Sequence, residues 1–311
     1  MLHRDPGPLA PSAVAEDVLS WVRGLEREVD VTAELLCNLD SSDMGPDHWE
    51  MLGTTLAARM SAYDGFVVLH GTDTMAYTAC ALSFMLRGLP KPVVLTGAQR
   101  PIAYVRTDAR INLVHSALCA AMDIPEVGIY FGRWLFRGNR ATKTSVQSYD
   151  AFESPDLGPL VEMGVEVRHP VDCRRPVSEF SLVKGFARDV VVLHVVPGSD
   201  ARMLDAAVGS GARGIVIRGF GSGNIPQAVW PGAIRRAVDG GAFVAIVSQC
   251  LRGTVDLRAY EGGRAALDAG AVASGAMTIE ATTVKMMHVL GQQASPAGAA
   301  AAWAQDIAGE G

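Results

Sequence analysis

The stretch Gly65-Phe66-Val67-Val68-Leu69-His70-Gly71-Thr72-Asp73-Thr74-Met75 decides the fold. Its first five residues are apolar and rich in β-branched side chains, which is typical of a buried parallel strand. Residues from Thr74 to Arg87 have the length and composition of a helix, which Gly88 closes. Thr72 and Asp73 therefore fall on a strand-to-helix turn, where open α/β sheets place their ligands.

Two interpretations of this turn remain open from its position alone. The start of the helix offers free N–H groups, which suit a carboxylate or a developing oxyanion. In the structural alternative, Asp73 is only an N-cap residue and Thr72 fills the turn.

The alternation of strands and helices continues on both sides of this stretch. We predict the following further elements of the first half: helices over Asp17–Glu28, Pro46–Met60 and Thr107–Met122, and strands over Pro92–Leu95, Val127–Phe131 and Trp134–Phe136. This alternation predicts an α/β fold, with a parallel sheet and helices on both faces. Three polar turns, Ser41-Ser42, Thr72-Asp73 and Thr96 to Gln99, should then follow one another along one edge of the sheet.

The pattern loosens between Glu162 and Arg188 and becomes regular again afterwards. We predict an N-terminal domain over residues 1–165, a linker over residues 166–188 and a smaller, flavodoxin-like α/β domain over residues 189–311. The elements predicted for the second domain are strands over Val190–Val196, Gly214–Gly219 and Phe243–Val247, and helices over Pro231–Asp239 and Thr278–Leu290. The alanine-rich tail Gly298–Ala308 is poorly specified.

Composition and charge exclude several classes of function. The chain has 311 residues, 49% of them hydrophobic and 19% charged, and a net charge of −6. An acidic chain without a Lys/Arg cluster argues against a nucleic-acid surface. No apolar stretch reaches the length of a membrane span and no signal peptide is apparent, so we expect a cytoplasmic protein without membrane contact. The low share of charged residues also suits two-sided buried sheets and a sizeable subunit interface, as in a homo-oligomer.

Cysteines and histidines give no sign of a metal site. The five cysteines are far apart and odd in number, which argues against both a disulfide framework and a metal knuckle. We expect most of them to be buried apolar fillers. We therefore expect no metal site.

One glycine-rich segment invites a dinucleotide-binding interpretation and fails it. Gly219-Phe220-Gly221-Ser222-Gly223-Asn224 follows a strand but lacks the fingerprint spacing. The next strand ends in Ser248-Gln249, without the acid that would hold a ribose. A P-loop and a Gly-x-Ser-x-Gly nucleophile elbow are also missing from the sequence.

Threonine and lysine form the natural pair for hydroxyl chemistry without a histidine partner. A threonine hydroxyl is a poor nucleophile until a base takes its proton, and a lysine amine can be that base. Thr72, Asp73 and Lys143 supply the hydroxyl, an orienting carboxylate and the amine. Lys143 belongs to the basic segment Arg137–Thr144, which is either a solvated loop or a rim that folds back to the Thr72 turn.

Four motifs in order resemble the bacterial-type L-asparaginases, and the cytoplasmic type I branch is the closest likeness. They are Ser41-Ser42-Asp43-Met44, His70-Gly71-Thr72-Asp73-Thr74-Met75, Thr96-Gly97-Ala98-Gln99 and Arg137-Gly138-Asn139-Arg140-Ala141-Thr142-Lys143. The resemblance runs from about Met1 to Gln292. It implies hydrolysis of L-asparagine to L-aspartate and ammonia by a two-domain, cofactor-free enzyme, usually a tetramer built from close dimers.

The same resemblance implies roles for individual residues. Thr72 matches the second catalytic threonine, Asp73 the acid that binds the substrate amino group, and Lys143 the lysine of the triad. Ser41 and Ser42 match the substrate-binding turn. Ala98 matches a position whose backbone contacts the side-chain amide.

One family motif is missing from the sequence. Family members begin with a strand that ends in Thr-Gly-Gly-Thr-Ile, whose second threonine is the usual nucleophile, and a lid tyrosine would fall near Pro8. One explanation is a short form that is inactive, feeble or only binds an amino acid. The other is that Met1 is an internal methionine of a longer natural protein. The second is favoured because deletion of a central strand would leave two neighbours with unpaired edges.

This explanation predicts upstream coding sequence for the missing strand. It also predicts that the 311-residue form hydrolyses asparagine very poorly compared with an extended form. Two alternatives to the asparaginase interpretation remain open. One is a catalytically impaired amino-acid-binding or regulatory protein, and the other is the amidase-like subunit of a tRNA-dependent amidotransferase.

Cys250 falls where the type I branch can carry a second, regulatory asparagine site. The alternative is a buried cysteine that fills space after a strand.

Overall fold

The computed structural model describes Val22 and residues 24–293 and 295–311. Most of the helix predicted over Asp17–Glu28 lies outside the described residues, and Leu25–Arg27 form a single 3-10 turn. In the described part of the chain, no helix is both long and apolar enough to cross a membrane.

The helices and strands alternate along the chain as follows. The α-helices are α1 (Pro46–Arg59), α2 (Met75–Met85), α3 (Ala109–Ala120), α4 (Arg202–Gly209), α5 (Trp230–Asp239), α6 (Glu261–Asp268), α7 (Ile279–Gln292) and α8 (Pro296–Trp303). The strands are β1 (Phe66–Leu69), β2 (Leu86–Arg87), β3 (Val93–Thr96), β4 (Val127–Phe131), β5 (Trp134–Arg137), β6 (Thr142–Lys143), β7 (Phe152–Glu153), β8 (Pro159–Met163), β9 (Val167–Arg168), β10 (Ser181–Leu182), β11 (Val190–His194), β12 (Gly214–Gly219), β13 (Phe243–Ser248) and β14 (Val272–Ala273).

The first sheet has the strand order β1-β3-β4-β5-β8-β9. Strands β1, β3 and β4 are parallel, which confirms the predicted α/β class. Leu69 of β1 pairs with Thr96 of β3, so the polar turns after these two strands lie side by side. Strands β5, β8 and β9 extend the sheet in antiparallel fashion, which the sequence pattern did not predict. The reversal follows from the tight turn between β4 and β5, where Gly132 has a φ of +65°.

Strand β1 is less buried than its sequence predicted. Phe66, Val67 and Val68 are half-buried, and Leu69 is exposed. Within the described residues β1 pairs on one side only, with β3, and an edge strand cannot bury both of its sides. The prediction of a buried strand was therefore wrong in this respect.

The second sheet has the order β11-β12-β13-β14, and all three of its strand pairs are parallel. This confirms a second α/β unit. Its tail is better ordered than the sequence indicated, because residues 296–303 form α8. Trp303 anchors this helix by burying its ring against Phe243 and donating its indole N–H to Ala273 O at 3.1 Å.

Helix α2, which follows the Thr72 turn directly, is almost completely buried. Its large side chains Met75, Leu82, Phe84 and Met85 are fully buried, which stabilises the fold by about 1.5–3 kcal/mol for each of them. Ala79 and Ala81 let its neighbours approach closely. A turn attached to such a helix has little freedom to move.

The helix predicted through Arg87 ends two residues earlier. Leu86 and Arg87 form β2, which pairs antiparallel with Ser181 and Leu182 of β10. The chain then turns at Gly88, whose φ is +60° and where a Cβ would come within 2.5 Å of the Ser178 carbonyl oxygen. Residues 178–182 of the predicted linker thus decide where the helix stops.

The cysteines are less buried than predicted. Cys80 and Cys119 are buried, whereas Cys37 and Cys250 are exposed and Cys173 is intermediate. Burial raises the pKa of the Cys119 thiol to about 12, so this side chain is an inert apolar filler. The prediction that most cysteines are buried fillers was wrong.

Candidate active site

The turn after β1 presents Thr72 and Asp73 next to each other. Helix α2 has Thr74 as its N-cap residue, and the Thr74 hydroxyl donates a hydrogen bond to Ser41 O at 2.6 Å. Asp73 is therefore not the cap of this helix. Its side chain is 70% exposed and available for other partners.

Lys143 reaches this turn from a distant part of the sequence. It lies on the two-residue strand β6, which pairs antiparallel with β7. Its Nζ donates to Thr72 Oγ1 at 2.8 Å and to Asp73 Oδ1 at 2.7 Å. The structure thus brings Thr72, Asp73 and Lys143 together. Because residues 138–142 are buried, the interpretation of this segment as a solvated basic loop was wrong.

This arrangement is able to move a proton. The Lys143 amine and the Thr72 hydroxyl are in hydrogen-bond contact at 2.8 Å, which is the distance that proton transfer between a base and a hydroxyl needs. The Asp73 carboxylate stabilises the ammonium that results, because it already lies in hydrogen-bond contact with Nζ.

The turn that contains Ser41 and Ser42 lies against the Thr72 turn. Asp40 Oδ1 accepts hydrogen bonds from Ser42 N at 2.8 Å and from Ser42 Oγ at 2.7 Å, and these bonds lower the pKa of the Asp40 carboxyl. A Cβ on Gly71 would lie 2.7 Å from both Ser41 Cβ and Ser41 Oγ. The contact between the two turns therefore requires glycine at position 71.

The third polar turn, after β3, contributes Gln99. Thr72 Oγ1 lies 3.4 Å from Gln99 Oε1, and Gln99 Nε2 donates to Ser148 O at 3.1 Å. Asp108 Oδ2 accepts from Gln99 N at 2.9 Å and orders the backbone here. Ala98, one residue earlier, is half-buried in the same turn. We did not single out Gln99 from the sequence, although an amide in a polar turn was a usable signal.

His70 connects the Thr72 turn to Thr78 and Trp49 through a chain of hydrogen bonds. Trp49 Nε1 donates to Thr78 Oγ1 at 3.1 Å, and Thr78 Oγ1 lies 2.9 Å from His70 Nε2. His70 Nδ1 lies 2.6 Å from Gly71 O. Burial lowers the pKa of His70, which favours the neutral ring, and Gly71 O accepts a hydrogen bond from Nδ1–H. No sequence pattern indicated these contacts, because Trp49 and Thr78 are distant in sequence.

Cys250 lies in a different place, at the carboxyl end of β13. It is exposed, so its interpretation as a buried filler was wrong. It lines a cavity of about 30 Å³ together with Thr142, Arg218 and Glu280. A cavity of this volume has room for one or two water molecules and is too small for an amino acid.

The loop that carries Cys250 is fastened over this cavity. Arg252 Nη2 lies 2.9 Å from Glu153 Oε2, and Gly253 N donates to Asp156 Oδ1 at 3.0 Å. Among the described residues, no group of three or more His, Cys, Asp or Glu side chains could hold a metal ion.

Comparisons with known proteins find similar proteins over most of the chain. The chain matches the family model "Asparaginase, N-terminal" over residues 3–173 and the model "Glutaminase/Asparaginase C-terminal domain" over residues 189–302. It is 38% identical to L-asparaginase 1 of Escherichia coli (strain K12) over 276 residues, which are 88% of this chain and 82% of that protein.

Two further proteins are similar over most of the chain. The solved structure of the thermostable L-asparaginase from Thermococcus kodakarensis superposes with a TM-score of 0.91 at 33% identity and covers 96% of this chain and 92% of that one. A glutamyl-tRNA(Gln) amidotransferase component of Pyrococcus furiosus is 37% identical over 299 residues, which are 92% of this chain and 68% of that protein.

Proposed function

Because the chain belongs to the asparaginase family, we propose that it is an amidohydrolase that converts L-asparagine and water to L-aspartate and ammonia. The observation that carries this proposal is the contact of Lys143 Nζ with Thr72 Oγ1 at 2.8 Å and with Asp73 Oδ1 at 2.7 Å. A hydroxyl, an amine and a carboxylate within direct contact at the carboxyl end of a parallel strand suit amide hydrolysis.

Catalysis in this proposal depends on threonine. Lys143 is the base that takes the hydroxyl proton, and Thr72 is the hydroxyl in contact with it. Asp73 holds the lysine in place and balances its charge once it is protonated. The N–H groups of the surrounding turns are the donors for the oxyanion that develops on the amide.

Substrate binding uses the three polar turns. The exposed carboxylate of Asp73 receives the amino group of asparagine, which is a charge-assisted hydrogen bond. The turn of Ser41 and Ser42 binds the substrate beside it, and the backbone at Ala98 contacts the side-chain amide. The close approach of Gly71 to Ser41 supports this assignment, because it brings two of the turns into contact.

An assay of ammonia release tests the proposal. The protein is incubated with L-asparagine, and ammonia and L-aspartate are measured beside a calorimetric titration with both amino acids. Ammonia and aspartate in equal amounts support the asparaginase function. Heat of binding without any ammonia would show an amino-acid-binding protein instead.

A second candidate function is the amidase-like component of a tRNA-dependent amidotransferase, which the similarity to the Pyrococcus furiosus amidotransferase protein favours. The two functions differ in what they require. Ammonia release from free L-asparagine by this protein alone supports the asparaginase function. A requirement for a partner protein and a tRNA would support the amidotransferase function.

We also propose a regulatory role for the Cys250 region and a cytoplasmic homo-oligomer, a dimer or a tetramer. The resemblance to the type I branch supports both. A regulatory amino acid would have to displace the loop of Cys250, because the cavity is too small as it stands. Light scattering behind a sizing column tests the oligomeric state.

A further inference from the structure

Helix α7 of the second unit reaches across to the strand that carries Lys143. Thr142 Oγ1 donates to Glu280 Oε1 at 2.7 Å, and both side chains are buried. Lys143, the next residue on β6, points to the Thr72 turn. Successive side chains of a strand point to opposite sides. Thr142 therefore contacts α7 on one side of β6, while Lys143 contacts the Thr72 turn on the other side.

The surroundings of Glu280 indicate that this carboxyl does more than fill space. Its second oxygen, Oε2, has no hydrogen-bond partner within the described part of the chain. Burial raises the pKa of the Glu280 carboxyl, which favours its neutral form. A buried polar atom without a partner costs about 1–3 kcal/mol, and an apolar side chain at this position would avoid that cost.

Strand β6 needs such an anchor because it is short. It has only two residues, and its ladder with β7 consists of the pairs Thr142 with Glu153 and Lys143 with Phe152. Beyond these pairs, Thr144 N donates to Ala151 O at 2.8 Å, so the backbone pairing that holds Nζ within hydrogen-bond distance of Thr72 Oγ1 remains short. The bond to Glu280 ties the strand to the buried helix α7.

We propose that Glu280 is a positioning residue that holds Lys143 against Thr72 through the hydroxyl of Thr142. This inference rests on the proposed function, since it assigns Glu280 to the same site. Glu280 itself touches neither Thr72 nor the place of the substrate, and it acts through the position of β6.

Four single variants and one double variant test the proposal. The single variants are Glu280→Leu, Glu280→Gln, Thr142→Val and, as a control on the same helix, Thr282→Val, and the double variant combines Glu280→Leu with Thr142→Val. Thr282 is fully buried on α7, and its hydroxyl donates to Thr278 O within the helix. Two quantities are measured. One is the rate at which acetic anhydride acylates the Lys143 amine relative to the exposed Lys184, read by mass spectrometry. The other is kcat and KM for L-asparagine.

We expect Glu280→Leu and Thr142→Val to change the relative acylation of Lys143 and to lower kcat about tenfold, because a small misplacement of a catalytic group is costly. KM should stay within about twofold of the unchanged protein, since Glu280 does not bind the substrate. Glu280→Gln keeps an oxygen acceptor for Thr142 and should restore both quantities. The double variant of Glu280→Leu with Thr142→Val should be no worse than either single variant.

Three results would overturn the proposal. They are unchanged Lys143 acylation and kcat in Thr142→Val, a Glu280→Gln variant as impaired as Glu280→Leu, and equal losses in Thr282→Val. Failure of the proposed function is distinct from these results. In that case the unchanged protein releases no ammonia, while the acylation of Lys143 still reports where its amine lies.

Discussion

The parallel strands of both sheets lead into polar loops at their carboxyl ends, but the loops of the two sheets are open to different degrees. At the first sheet the polar turns are open, and the Asp73 side chain is 70% exposed beside Lys143. At the second sheet the loop of Cys250 is fastened by Arg252 and leaves about 30 Å³. The topology gathers polar groups at both edges, and the loops differ in how much of each edge they leave open.

The largest expected effect comes from removing the Lys143 amine at the exposed polar turns of the first sheet. Lys143→Met should lower ammonia release from L-asparagine by about 10³-fold, because loss of a general base costs about 10² to 10⁴-fold. Lys91→Met is the matched control. Lys91 Nζ donates to Met60 O and so belongs to a helix end rather than to the site. Equal rates for Lys143→Met and the unchanged protein would place the chemistry elsewhere.

A smaller effect comes from separating two of the open turns. Gly71→Ala places a Cβ 2.7 Å from Ser41 Cβ and Oγ, so the two turns must move apart. Ammonia release should fall by about 10²-fold. Gly45→Ala is the control, since a Cβ there meets no atom within 4 Å among the described residues. If Gly71→Ala keeps full activity in steady-state assays, contact between these turns is not needed.

The contact between His288 of α7 and Arg87 of β2 should make the stability of the fold depend on pH. His288 of α7 accepts a hydrogen bond from Arg87 at 3.2 Å, and burial, with the nearby Arg87 charge, lowers its pKa from 6.5 to about 4. The His288 ring of the folded protein therefore stays uncharged between pH 6.5 and about 4, whereas the same ring in the unfolded chain takes up a proton below pH 6.5. The stability that this neutral ring provides is complete above that pH and is lost as the pH falls toward about 4.

The expected loss is about 2 kcal/mol of unfolding free energy between these pH values, below the upper limit of about 3 kcal/mol for such a shift. Urea titrations at several pH values measure it. His288→Gln retains an acceptor for Arg87 without a titrating ring and should flatten this part of the profile. Identical slopes for the two proteins would remove His288 from the explanation.

The smallest expected effect on activity concerns the loop of Cys250 at the carboxyl end of the second sheet. Arg252→Ala removes the contact with Glu153 and should loosen the loop, so that the backbone amides of the loop around Cys250 exchange hydrogen faster. Ammonia release without an effector should stay within about twofold, because an exposed ion pair of this kind is worth at most about 1 kcal/mol. Unchanged hydrogen exchange in this loop would show that Arg252 does not hold it in place.

The sequence was informative where local pattern decides the structure and silent where distant residues do. The apolar run from Phe66 to Leu69 predicted a strand and therefore the place of Thr72. The return of Lys143 depends on its pairing with Phe152 and on α7, which no local pattern contains. The end of α2 at Met85 depends likewise on β10.

The central claim is that Thr72 and Lys143 act as one unit in the hydrolysis of L-asparagine. The most direct measurement is a double-mutant cycle on ammonia release with Thr72→Val, Lys143→Met and both together. Groups that act as a unit are strongly non-additive, so the double variant should lie within about threefold of the slower single variant. Losses that multiply in the double variant, or single variants as fast as the unchanged protein, would contradict the account.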